Sequence, residues 1–200
     1  MNNTVFGTGS NLAMRNISNL DTLKKMVQKW KDEGSKIVLV SGSWDLIHEG
    51  HALYLEVAKS YGDILVVGVD SDKKVKRRKG PRRPIVPQQE RLRMLSHLRS
   101  VDVVTLKEDT APKWSLIKAI KPDVLVATKS TYSKKEIDEL EKKYCKKVLV
   151  HERMATTSTS ARLRLVQIDL ANKLSQKLSE KIPSMIDEVI AQAVKPEKGK

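Results

Sequence analysis

Two imidazoles three residues apart, His48 and His51, flank Gly50 in the stretch Ser41-Gly42-Ser43-Trp44-Asp45-Leu46-Ile47-His48-Glu49-Gly50-His51. A run of four apolar residues, Ile37 to Val40, precedes it and reads as a buried strand. A helix-length window, His51 to Ser60, follows it. The histidines therefore belong to a strand-to-helix loop, and ligands bind at the carboxyl ends of strands in sheets of this kind. Free amide groups and the helix dipole at such a mouth favour an anion. Small residues, Ser41, Gly42 and Ser43, allow close approach of the backbone to a ligand. The pair could instead hold a metal, but Cys145, His97 and His151 form no local cluster with it that would complete a zinc site. A phosphate site is the better reading, and no metal ligands are assigned.

A second feature carries charge. Lys73, Lys74, Lys76, Arg77, Arg78, Lys79, Arg82 and Arg83 place eight cations within eleven residues, with no acid among them. The stretch reads as a solvated basic loop, as a cradle for a small polyphosphate, or as a nucleic-acid surface. Eight aromatic residues in the chain, and no stacking or zinc-finger motif, argue against nucleic acid.

The elements that position these residues follow in order. A helix is expected over 21–33, with Leu23, Met26, Val27 and Trp30 on its apolar face and Gly34 as its stop. Near-continuous apolar strands are expected at 63–69, 101–106, 124–127 and 147–150. Helices separate them at 87–98, around Trp114 to Ile120, and at 134–144. Thr110 reads as the cap of the helix around Trp114. Strands alternating with helices predict an α/β fold with a Rossmann-like, doubly wound parallel sheet. Three parts are expected: a loose leader over 1–20, a catalytic domain over 21–165, and a helical extension with a charged tail over 166–200. In that extension Leu163, Val166, Leu170, Leu174 and Leu178 form one stripe. A second amphipathic piece is expected after Ile182-Pro183, with a disordered end from Lys195. The stripes must bury against the domain itself or against a second subunit, which makes a homodimer one expectation.

At 200 residues and 40% apolar content the chain supports a real core, and its net charge is +14. The lone Cys145 excludes an internal disulfide and suits a reducing cytoplasm. No apolar run approaches the roughly 20 residues of a membrane helix, so a cytoplasmic protein without a membrane partner is expected.

The stretch His48-Glu49-Gly50-His51 resembles the His-x-Gly-His signature of the nucleotidyltransferases, and Gly42-Ser43-Trp44-Asp45 resembles their Gly-x-Phe-Asp lead-in. Further matches follow: Lys79-Gly80-Pro81-Arg82-Arg83-Pro84 for Lys-Gly-x-x-Arg-Pro, Glu90-Arg91, and Ser158-Thr159-Ser160 for Ser-Thr-Thr. The likeness covers residues 20 to 165 and is strongest to the heptose-phosphate adenylyltransferases. The resemblance implies transfer of a nucleoside monophosphate from an NTP to a phosphorylated small molecule, with Mg2+ accompanying the NTP. It implies catalytic roles for His48, His51 and Lys79. It also implies nucleotide contacts from Gly42, Ser43, Trp44, Arg91, Ser158 and Thr159. Asp45 is a residue near the magnesium or a brace of the loop.

At 127–132 the chain departs from the family. Ala127-Thr128-Lys129-Ser130-Thr131-Tyr132 stands where the family has Lys-Gly-Gly-Asp-Tyr. This bears on the donor base, for which ATP is favoured over CTP, and on the acceptor. A sugar phosphate is favoured, with glycerol phosphate, another phosphorylated alcohol and flavin mononucleotide as alternatives. A family member that binds nucleotide without turnover is a further reading, and a basic nucleic-acid-binding protein is the non-enzyme alternative.

Overall fold

Near-continuous valine, isoleucine and leucine at 37–40, 64–69 and 124–126 leave no polar face for water, so these strands must be covered on both sides. The computed structural model, which describes residues 12–129, 131–152 and 159–193, places them in one parallel sheet. Its strands are β1 (Ile37–Gly42), β2 (Ile64–Asp70), β3 (Val103–Lys107), β4 (Val124–Thr128) and β5 (Lys147–His151), in the order β3-β2-β1-β4-β5. The helices are α1 (Leu12–Arg15), α2 (Leu20–Asp32), α3 (Glu49–Lys59), α4 (Asp72–Lys79), α5 (Gln88–His97), α6 (Ser115–Ile120), α7 (Lys134–Lys143) and α8 (Thr159–Ala193).

Side chains alternate across a strand, and the sheet accordingly has two cores. On one face Val38, Val40, Val67 and Val126 meet Tyr54, Leu55 and Ala58 of α3 and Leu92 and Leu95 of α5. On the other, Ile37, Leu39, Val66 and Leu125 meet Leu23 and Val27 of α2, Leu116, Ile117 and Ile120 of α6, and Leu140 of α7. The chain runs outward from β1 through β2 to β3, then returns to β4 on the other side of β1. The strand order therefore reverses between β1 and β4, which opens a crevice at their carboxyl ends. This is the doubly wound, Rossmann-like α/β fold.

Several local expectations change. Residues 12–17 are not a loose leader. The amide of Ile17 donates to the carbonyl of Val104, and the Arg15 guanidinium donates to the carbonyls of Asp102 (3.1 Å) and Ser96 (2.5 Å). The basic stretch is largely helix and not loop: Asp72 opens α4 in its first turn and Ser71 caps it, complementing the positive end of the helix dipole. Thr110 caps nothing, because α6 starts at Ser115, beyond Pro112, which disfavours helix in the residue before it.

The chain divides into two compact units, residues 1–156 and 157–200. In the second, α8 runs through Pro183 where the sequence predicts a break. The proline removes one amide donor, but the stretches on either side are each long enough to propagate helix. The apolar residues Val166, Leu170, Leu174, Leu178, Ile182 and Ile186 along α8 are exposed. Among the described residues no helix is long and apolar enough to cross a membrane.

Candidate active site

The loop after β1 is held from below. Trp44 and Leu46 adopt left-handed backbone, with φ of 52° and 50°, a conformation costing about 1–2 kcal/mol for a residue with a side chain. Trp44 is anchored in that conformation: its indole is buried and its Nε1 donates to the carbonyl of Gly68 at 3.0 Å. The same ring lies back over Gly42, where a Cβ would come within 3.1 Å of it. The glycine at 42 therefore makes room for the protein's own tryptophan. The Trp44 ring, assigned from the sequence to the nucleotide, faces the core.

Asp45 is also internal. Its carboxylate accepts from the amides of Ile85 and Val86 and pairs with Arg83 at 2.9 Å, so it braces the loop against the segment that follows α4. Arg91 is assigned to a phosphate from the sequence, yet it is fully buried. Its Nε donates to the carbonyl of Val86 (2.9 Å). Its terminal nitrogens donate to the carbonyls of Ser43 and Asp70 and to the carboxylate of Asp72 (2.7 Å). Four of its five N–H bonds thus end on the protein. Arg91 ties the ends of β1 and β2 to the starts of α4 and α5.

On this frame the histidines meet. His48 is the residue before α3 and His51 lies in its first turn, so α3 begins two residues earlier than the sequence predicts. Their ring centroids are 4.0 Å apart, and His51 meets the Trp44 ring edge-on at 5.5 Å. The backbone amide of His48 donates to His51 Nδ1 at 3.4 Å. That bond assigns the His51 proton to Nε2, which is then a donor. Burial, with help from the charges of His48 and Lys79, lowers the His51 pKa to about 4. His51 is therefore a neutral N–H donor at physiological pH.

This burial makes stability depend on pH. An unfolded histidine takes up its proton below its ordinary pKa of about 6.5, whereas folded His51 resists until about 4. Stability from this group is full above 6.5, falls as the pH drops through that window, and is lost below 4. In an NMR titration the His51 ring signal should move with a midpoint near 4. A midpoint near 6.5 would contradict the geometry.

Lys79 completes the group. It extends from the end of α4 to donate to Ser43 Oγ at 2.7 Å, and burial together with Arg83 and Arg78 lowers its pKa. His48, His51, Lys79 and Ser43 thus converge on the carboxyl end of β1, at the amino end of α3. Ser158 and the side chain of Thr159 lie outside the described residues. The departing loop after β4 closes as a turn, in which the Thr131 amide donates to the Thr128 carbonyl (2.8 Å) and the two hydroxyls lie 2.9 Å apart. Among the described residues no group of three or more His, Cys, Asp or Glu side chains could hold a metal ion. Asp45, engaged by its two amides and Arg83, does not fit as a magnesium ligand.

Sequence reasoning marks Asp70 only as the end of the strand, where the resembled family often has Asn, and gives it no role; the structure buries it at the end of β2 with Lys107, Lys74 and Arg78 around it. The available signal was a carboxylate ending an otherwise apolar strand, at the sheet edge where ligands bind.

The chain is similar to two proteins named Bifunctional protein HldE. With that from Wolinella succinogenes it shares 40% identity over 147 residues, 74% of this chain and 30% of the relative. With that from Methylobacillus flagellatus it shares 44% over 121 residues, 60% of this chain and 24% of the relative. The chain thus spans about a quarter to a third of these relatives. The lipopolysaccharide core biosynthesis protein of Thermoplasma volcanium is 27% identical with a TM-score of 0.53, covering 60% of this chain and 98% of that one. A pantoate-beta-alanine ligase from Francisella tularensis, at 17% identity and a TM-score of 0.55 over 80% of this chain and 77% of its own, shares the fold. The family model described as Cytidylyltransferase-like matches residues 39–186, which include the paired histidines, the basic helix and nearly all of the sheet; the chain belongs to this family of nucleotidyltransferases.

Proposed function

We propose that the protein transfers AMP from ATP to a phosphorylated sugar and releases pyrophosphate. The observation that carries this reading is the pair of adjacent imidazoles, ring centroids 4.0 Å apart, at the amino end of α3 beside Lys79, in a chain of this family. An oxygen of the acceptor's phosphate attacks the α-phosphorus of the triphosphate. The bond from that phosphorus to the oxygen bridging it to the β-phosphate breaks, and pyrophosphate leaves with that oxygen. The protein contributes position and charge. The His51 Nε2–H, His48 and the Lys79 ammonium bind the phosphate oxygens as charge builds on them. Arg91 and Asp45 are positioning residues, fixing the loop in which Ser43 and the histidines sit. Gly42 and Ser43 remain the backbone nearest the nucleotide. Ser158 and Thr159 are assigned as hydroxyl donors to the nucleotide only on the resemblance of Ser158-Thr159-Ser160 to the family's Ser-Thr-Thr. Magnesium bound with the triphosphate would neutralise charge on its phosphate oxygens, with no carboxylate cage from the described residues.

A cytidylyl donor is the second reading, favoured by the matching family's own description. Base choice depends on hydrogen bonds to the ring edge. The turn closed by Thr128 and Thr131, at the end of β4 beside the switch point, is the candidate for those bonds. Thermal melting with each NTP and magnesium separates the readings, since a ligand at 100 times its Kd adds about 2.7 kcal/mol. ATP should raise the melting temperature more than CTP does. Pyrophosphate should then appear with ATP and a sugar phosphate together, and not with ATP alone. Stabilisation by CTP and not by ATP would replace the donor while keeping the reaction. No stabilisation by any NTP would end the proposal.

A further inference from the structure

Asp70 ends β2 directly beside Lys107, which ends β3. Its side chain is 1% exposed. Arg78 pairs with Oδ2, while Oδ1 faces the Lys107 ammonium at 3.4 Å and the Lys74 ammonium at 3.9 Å. Oδ1 makes no hydrogen bond. One cation would neutralise one carboxylate, so three of them leave a formal surplus of two positive charges. Two of the three are largely withdrawn from water, with Lys107 22% and Lys74 19% exposed. Burial lowers the Lys107 pKa despite the neighbouring carboxylate. Crowding like charges out of water is costly unless an anion joins them.

The arrangement is also built by the backbone. Gly68, two residues before Asp70, has no side chain. A Cβ there would come within 2.7 Å of the Lys107 chain and 2.8 Å of Ser41 Oγ. The glycine lets Lys107 lie across the end of β2 toward β1. On the other side Arg78 is followed in α4 by Lys79, which reaches Ser43. The cationic group therefore adjoins the residues proposed to hold the triphosphate.

We propose that Lys107, Lys74, Arg78 and Asp70 form the acceptor subsite. The three cations take the acceptor's phosphate dianion, whose charge equals their surplus. Asp70 Oδ1, buried between the Lys107 and Lys74 ammonium groups, takes a hydroxyl of the sugar. The inference rests on the nucleotidyltransferase reading and adds to it the residues that select a phosphorylated polyol.

The test uses the full chain and inorganic phosphate as probe. Calorimetry first measures binding of an ATP analogue with a methylene between the α- and β-phosphorus, with magnesium. Phosphate is then titrated into the analogue-saturated protein. Wild type should bind phosphate saturably. Lys107→Gln and Lys74→Gln should each weaken phosphate binding tenfold or more and leave analogue affinity within twofold. Should Lys107→Gln melt early, Lys74→Gln, less enclosed by the sheet because it lies on α4, carries the test. Unchanged phosphate affinity in the folded variants overturns the subsite while leaving the nucleotidyltransferase reading intact. Failure of wild type to bind the analogue overturns that reading, and the subsite with it.

Discussion

Replacing Arg91 with methionine is expected to destabilise the α/β unit by about 3–5 kcal/mol, the range found when one partner of a buried charged network is removed. The guanidinium is fully buried and donates to the carbonyls of Val86, Ser43 and Asp70 and to the carboxylate of Asp72. Methionine fills much of the volume and supplies none of the donors. The carbonyls, largely cut off from water, then lose partners that water cannot replace. Domains of this size are stable by about 5–15 kcal/mol, so the loss is a large share of the whole. Lysine should recover little, because one ammonium cannot reproduce a planar fork aimed at several oxygens. Urea unfolding provides the measurement, with the midpoint falling and the slope unchanged. A loss below about 1 kcal/mol, the low end of the cost of one unsatisfied buried group, would show that the brace is dispensable.

The second large effect is on turnover. His48→Ala and His51→Ala should each lower kcat by roughly 10²- to 10³-fold, the cost of removing one donor from a site that stabilises developing charge. The fold should persist, since the Trp44 and Arg91 anchors beneath the loop stay in place. The double variant should lose less than the product of the two, because the rings lie 4.0 Å apart and act on one group of oxygens. Pyrophosphate release at saturating substrates is the readout. Normal turnover in both single variants would remove the reaction from this loop.

Much of the architecture was legible because the strands are apolar without interruption and the connections have helix length. The two histidines were legible because their strand-loop-helix setting is local. What escaped was set by tertiary contact. Nothing in the order Glu90-Arg91-Leu92 says that the arginine points inward; that direction follows from three carbonyls, of Val86, Ser43 and Asp70, that converge on one point only in the folded sheet. Trp44 looked like a ligand platform, yet a buried indole donating to Gly68 is the means by which a left-handed loop is fixed. The Asp70 group was missed for a related reason. Its cations come from positions 74, 78 and 107, and only the pairing of β2 with β3 brings the last of them in.

The place of β1 in the sheet has a consequence for how the chain comes to be folded. β1 is flanked on one side by β2, where Ile37 pairs with Ile64, and on the other by β4, where Val38 pairs with Val124. A chain growing from its amino end can close the first pairing early, while the second waits until most of the α/β unit has been synthesised. Throughout that interval Ile37 to Val40, a wholly apolar edge, has an unpaired row of amides and carbonyls. Such an edge is a template for another chain, and pairings distant in sequence form slowly. The histidine loop grows from this same strand. The nascent protein is therefore exposed to aggregation at the strand from which the proposed active-site loop grows, until β4 arrives to cover it.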